Sequence, residues 1–211
     1  MGLLQKKPQI ETVPMYRVGA NKTVLIIGLG NPSKEYDGTR HNIGFAVLDN
    51  LAAKLDFPKW IQKKDLKCLL TTKQEGDSRV ILIKPTTFMN LSGQAVVAVN
   101  NFYKIAPNQT TAVHDEIDIP FGQIRSRVGG GSAGHNGVKS LIEHLGEDFG
   151  RVRIGVSNEH SNKIDSADFV LAKFNKAEQT EIPNLLQEVN SVLSEYIYSG
   201  QLPADTRSFI L

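Results

Sequence analysis

Three short stretches close apolar, strand-like runs with residues suited to proton transfer or amide recognition: Gly28-Leu-Gly-Asn-Pro32, Phe88-Met-Asn90 and His114-Asp115. A fourth, Thr39-Arg-His-Asn42, follows the first turn, and a glycine-rich loop, Gly129–Asn136, lies downstream. An open α/β sheet gathers a ligand site at the carboxyl ends of its strands, where this pattern puts these residues. Their types form a chemical set of a histidine, a carboxylate and several neutral amides. The histidine can take a proton from water, and a carboxylate beside it can fix its tautomer and stabilise the imidazolium that forms. Asparagine amides, each with a donor and an acceptor, can polarise a carbonyl and hold a substrate.

Other chemistries fit less well. Gly28-x-Gly30 lacks the third glycine or alanine of a dinucleotide fingerprint, because Ser33 stands there after Pro32. The Gly129–Gly134 stretch is followed by His135-Asn136, not by the Lys-Ser/Thr pair of an ATP-binding loop. Neither Ser92 nor Ser132 sits in the elbow of a serine hydrolase. His114-Asp115 would suit a metal-dependent phosphohydrolase only with a further His/Asp cluster, so no metal and no cofactor is expected. Among the histidines, His144 and His160 read as surface residues, and His114 reads equally well as structural. His135 reads as part of a mobile loop. Spacing favours His41, in a polar run just before a helix, and leaves the others open.

The elements that must position these residues are legible from periodicity. Val24–Ile27 is a buried strand, and Gly44–Leu55 carries apolar residues at helical spacing. Strands are expected near 66–73 and 79–84 with a hairpin turn at Glu75–Ser78. Ser92 is the expected N-cap of a helix to about Tyr103, and Asn136 that of Gly137–Leu145. Thr110–His114, Ile124–Val128 and Arg151–Val156 are strands, and a long helix covers about Ala177–Ser199. The alternation predicts one α/β domain at residues 23–211, a twisted mixed, largely parallel sheet flanked by helices. Residues 1–22, polar and interrupted by Pro8 and Pro14, read as an extension ahead of it.

Composition narrows the setting. The chain of 211 residues needs no disulfide staple, and its single cysteine, Cys68, reads as a strand residue in a reducing cytosol. No apolar run approaches a membrane span. A net charge of +2 leaves any nucleic-acid contact to local patches. Arg125 with Arg127, and Arg151 with Arg153, alternate along strands, so each pair lies roughly 7 Å apart on one face, near the spacing of adjacent phosphates. The plainer reading is solvated edge arginines.

Taken in order, these motifs resemble bacterial-type peptidyl-tRNA hydrolase from about Val24 to the C-terminal helix. The resemblance is carried by Gly28–Pro32, Tyr36, Thr39-Arg-His-Asn-x-Gly44, Lys84–Gly93, His114-Asp-Glu-x-Asp118, Gly129–Gly131, Gly134-His-Asn-Gly137 and Arg153-Ile-Gly155. It implies hydrolysis of the ester joining a peptide to the 3′ ribose of tRNA, by a monomer in the cytoplasm. His41 matches the family's general base, Asp115 its orienting carboxylate, and Asn31 the residue separating N-blocked peptidyl-tRNA from free aminoacyl-tRNA. Tyr36, Phe88, Asn90 and Asn136 match contacts to the tRNA end or peptide backbone, with Met89 packed beside them. Arg127 and Arg153 match a clamp for the tRNA 5′ phosphate, which Arg125 and Lys139 extend. Ser132-Ala133 departs from a more histidine- and glycine-rich loop in some relatives, which bears on loop mobility. Plant intron-splicing factors resemble the same family as non-catalytic RNA-binding proteins, but the presence of His41, Asp115 and the three asparagines favours the enzyme.

Overall fold

A computed structural model describes residues 22–161 and 163–209. The extension expected at residues 1–22 lies outside the described residues except for Lys22, which opens the first strand. The elements in chain order are β1 (Lys22–Gly28), α1 (Ile43–Lys54), β2 (Ile61–Lys63), β3 (Cys68–Glu75), β4 (Ser78–Pro85) and α2 (Ser92–Tyr103). They continue with β5 (Thr110–Pro120), β6 (Gln123–Val128), α3 (Asn136–Leu145), β7 (Gly150–Ser157), α4 (Ser166–Leu171), α5 (Lys176–Ser199) and β8 (Asp205–Ser208).

All eight strands join one sheet in the order β2-β3-β4-β1-β5-β7-β6-β8. Its centre, β4-β1-β5-β7, is parallel, and antiparallel strands extend it on both sides. The parallel strands read as continuous apolar runs because both faces are covered. Val24 and Ile26 of β1 point into a core shared with Leu48 of α1 and Leu193 of α5. Leu25 and Ile27 point into the other, with Val96 of α2 and Leu141 of α3. Cys68 opens β3 fully buried, and burial pushes its thiol up to about 12, so it serves as packing.

The chain runs from β1 through α1 toward β4 on one side, and later strands build outward from β5 on the other. The switch point therefore falls between β1 and β5, where an open α/β sheet leaves a crevice. Two glycines let α1 enter that crevice. A Cβ on Gly28 would collide with the Gly44 carbonyl, and one on Gly44 with the Val113 carbonyl and the Leu29 backbone. The Thr39–Asn42 segment just before α1 is thus pressed onto the ends of both strands.

Two expected caps are corrected. Ser92 is the first residue of α2, and its buried Oγ makes no hydrogen bond, so it does not cap the helix. His135, not Asn136, caps α3, its Nδ1 accepting from the backbone N–H groups of Gly137 and Val138.

Candidate active site

The turn at Asn31 is held from outside itself. Asn42 accepts the Asn31 backbone N–H through Oδ1 at 2.8 Å and donates Nδ2–H to its carbonyl at 3.0 Å. The Asn31 side chain then accepts the Met89 N–H at 2.8 Å, tying the end of β1 to the segment after β4. That backbone donor fixes the amide's orientation: Oδ1 is engaged, and Nδ2 is the group left for the cleft. The sequence expectation of a donor and an acceptor offered together is narrowed to the donor.

Arg40 anchors the turn bearing His41. It is buried, its Nη2 lies 2.9 Å from Glu178 Oε2, and Nη1 donates to the carbonyls of Phe169, Ala172 and Lys173. A buried charge persists only when paired and hydrogen-bonded in this way. The turn is thereby fastened to α4 and α5, across the crevice from β5.

Asp115 receives two histidines. His41 Nδ1 lies 3.0 Å from Oδ1 and 3.1 Å from Oδ2, and His135 Nε2 lies 3.0 Å from Oδ1. The tautomers follow from the partners. His135 Nδ1 accepts from two backbone donors, so its proton resides on Nε2 and is donated to Asp115. His41 donates Nδ1–H to the same carboxylate, which leaves its Nε2 free to accept a proton. Burial works to raise the Asp115 carboxyl, but His135 and then His41 outweigh it and hold it well below the usual carboxylate range. Asp115 is therefore a fixed negative charge at 2 % exposure.

His114 resolves as a structural residue. Its Nδ1–H donates to the Asp115 carbonyl at 2.7 Å, and its ring meets His135 edge-on at 4.7 Å. Burial, with His135 beside it, pushes its cation down to about 3, so it stays neutral. Glu116, the residue after Asp115, is buried, and burial raises its carboxyl.

His41, Asp115 and Asn31 line a cavity of about 840 Å³ with Phe88, Met89, Asn90 and Asn136. Asp165–Ala167, Val170 and Leu171 of the α4 region form its far wall. Tyr36, half-buried in the turn Lys34–Tyr36, is not among the lining residues. Arg125, Arg127 and Arg153 gather elsewhere, on β6 and β7 beside the glycine loop, while Lys139 is exposed on α3. The reading of Arg151 as a solvated edge residue fails: it is 1 % exposed, and β7 lies inside the sheet.

His135, which the sequence allowed in a mobile loop, caps α3 and turns its ring to Asp115, a contact the sequence reading did not anticipate. The chain did hold a signal, since His-Asn occurs twice, at 41–42 and 135–136, each time at the start of a helix. One ligand atom from each of His41, Asp115 and His135 lies within 4.8 Å of the other two, a spacing a metal ion could share. In this arrangement both ring nitrogens carry protons directed at the carboxylate, so the cluster is a hydrogen-bonded relay.

Fold and site define a class: an α/β protein whose crevice sets a histidine–aspartate pair among neutral amides, equipment for directing water at a carbonyl. Residues 25–209 match the family model described as Peptidyl-tRNA hydrolase. The chain is 41 % identical over 174 residues to a peptidyl-tRNA hydrolase of Fusobacterium nucleatum, covering 82 % of this chain and 88 % of that one. It is 44 % identical over 155 residues to a peptidyl-tRNA hydrolase of Rickettsia bellii, covering 74 % and 83 %. Among solved structures, peptidyl-tRNA hydrolase from Acinetobacter baumannii superposes with a TM-score of 0.79 at 36 % identity, over 87 % of this chain and 92 % of that one. The chain belongs to the peptidyl-tRNA hydrolase family.

Proposed function

We propose that the protein hydrolyses the ester between a peptide and the 3′ ribose of tRNA, releasing both for reuse. The observation that carries this reading is the free Nε2 of His41, backed through Nδ1 by a carboxylate that stays charged. Nε2 takes a proton from water as its oxygen bonds to the ester carbonyl carbon. The imidazolium then returns that proton to the ribose oxygen as the carbon–oxygen bond breaks, giving a tRNA hydroxyl and a peptide carboxylic acid, which loses its remaining proton to solvent. Asp115 stabilises the imidazolium between these steps.

Asn31 supplies selectivity. With Oδ1 engaged by Met89, it presents Nδ2–H, which suits the carbonyl of an acylated amino group and opposes the N–H donors of a free ammonium. Asn90 and Asn136, both exposed at the cavity, hold the peptide backbone or tRNA end. Phe88 and Met89 supply apolar surface there. Tyr36 sits back from the cavity and reaches the tRNA end only at its margin. Arg127 and Arg153 clamp the 5′ phosphate, with Arg125 and Lys139 extending the basic track. On this reading the protein acts as a monomer in the cytoplasm.

Release of N-acetyl-aminoacyl groups from tRNA by wild type and His41→Ala tests the proposal. The variant should lose nearly all turnover, and equal rates would remove His41 from the mechanism.

A further inference from the structure

The antiparallel pairing of β6 with β7 sets Arg125 opposite Arg153 and Arg127 opposite Arg151. Like charges facing across strands repel. Among the described residues, no carboxylate lies within salt-bridge distance of any of the four. Arg125, Arg127 and Arg153 are half-buried, whereas Arg151 is fully buried beneath them. Its guanidinium lies over the Phe149 ring at 4.5 Å, and Nη1 donates to the Gly131 carbonyl at 2.5 Å. Among the described residues, its Nε and Nη2 have no partner. Those two nitrogens share the outer edge of the guanidinium fork and are shielded from solvent, so the buried charge carries no counter-charge there.

Arg127 packs against the same loop one residue earlier, its guanidinium filling the space that a Cβ on Gly130 would take. The far end of the loop carries His135 and Asn136, and the His135 N–H donates back to the Ser132 carbonyl at 2.9 Å. Arg151 therefore holds, and Arg127 packs against, the segment that delivers a second histidine to Asp115 and an amide to the cleft. Burial, and then Arg127, bring the Arg151 cation down to about 10, which reflects the cost of its unneutralised state.

We propose that Arg151 is a positioning residue that couples phosphate occupancy of the arginine cluster to the geometry of Asp115 and Asn136 through its bond to Gly131. The inference rests on the reading of Arg127 and Arg153 as a clamp for a tRNA phosphate. A seated phosphate neutralises Arg127 and Arg153 above the buried Arg151 while Nη1 holds the loop. Repulsion from Arg127 and Arg153 acts against that hold, and phosphate charge relieves it. Binding energy spent at the phosphate then improves the chemical step and not only affinity.

The test compares N-acetyl-aminoacyl-tRNA with and without its 5′ phosphate, on wild type and Arg151→Lys. The lysine variant keeps the charge and loses both the fork and its reach. Wild type should lose kcat by about tenfold without the phosphate, as for one charge-assisted hydrogen bond, and KM should rise. Arg151→Lys should show the lower kcat on both substrates while KM still responds to the phosphate. A lysine variant that keeps the wild-type phosphate effect on kcat overturns the coupling. A wild type indifferent to the phosphate in both constants overturns the clamp itself. Should the variant fail to fold, ¹⁵N-histidine spectra of wild type titrated with inorganic phosphate decide: the His135 ring signals should move, and static signals overturn the coupling.

Discussion

Replacing Asp115 with asparagine keeps the side chain's size and removes its charge, so the loss follows from its hydrogen bonds. Oδ1 accepts from both histidines, and Oδ2 lies 3.1 Å from His41 Nδ1 alone. An amide oxygen at the Oδ1 position still serves both rings, but the new NH₂ then faces His41 Nδ1, donor against donor. The conflict clears when His41 moves its proton to Nε2, the nitrogen that must be free. His135 cannot yield instead, because two backbone donors of α3 hold its Nδ1 as an acceptor. The imidazolium formed in the reaction also loses its counter-charge, worth ~4 kcal/mol for unit charges about 4 Å apart at an effective dielectric of about 20. That energy is a factor of about 10³, and the same substitution in a serine-protease triad costs about 10⁴ in kcat. Asp115→Asn should therefore lower kcat by about 10³- to 10⁴-fold with far less change in KM. Single-turnover release of N-acetyl-aminoacyl groups near neutral pH measures this, with thermal unfolding run alongside. A folded variant within tenfold of wild type would refute the reasoning.

Asn31→Asp keeps an acceptor for the Met89 N–H and replaces the cleft donor with a carboxylate. Its preference for blocked over unblocked aminoacyl-tRNA should fall by about tenfold or more in kcat/KM, and an unchanged ratio would remove Asn31 from discrimination. Arg127→Gln and Arg153→Gln should each raise KM and make its salt dependence shallower by about one charge; an unaltered salt slope counts against the clamp. His114 stays neutral in the fold down to about pH 3, whereas an unfolded histidine takes its proton near pH 6.5. Between those values the unfolded chain binds the extra proton, so stability falls with falling pH, by up to ~1.4 kcal/mol per unit from this group. His135, Asp115 and Arg151 are the charged or titratable groups acting on it. Below about pH 4 the depressed Asp115 adds a loss of the same sign, because the unfolded carboxyl protonates first. Urea unfolding of wild type and His114→Asn from pH 7 to 5 should show a shallower slope for the variant, and parallel slopes would contradict this.

Much of the site was legible because open α/β sheets place chemistry at strand ends, and the apolar runs ending at Gly28, Pro85 and His114 mark those ends clearly. Strand order was not, since it depends on which side of β1 each crossover takes. β2, β8 and α4 were missed: each is too short to show a period, and their places are set by tertiary contact. Local propensity misled at Ser92, where a good capping residue became the first helical one, and at Asn136, where His135 took the cap. That exchange hid the main feature of the site, because a histidine whose Nδ1 is fixed by a helix start can only donate from Nε2. The burial of Arg151 was equally hidden. Alternation gives the face of a strand, and the loop that folds over that face decides its exposure.

The account stands on His41 acting as a base on a blocked ester without help from a metal. The direct measurement is release of N-acetyl-aminoacyl groups from tRNA in EDTA by wild type and His41→Ala, with unblocked aminoacyl-tRNA in parallel. Cleavage of the blocked substrate alone, nearly abolished in His41→Ala, is the predicted result. Wild-type rates from His41→Ala would contradict the account, as would a wild type that binds tRNA and cleaves neither substrate.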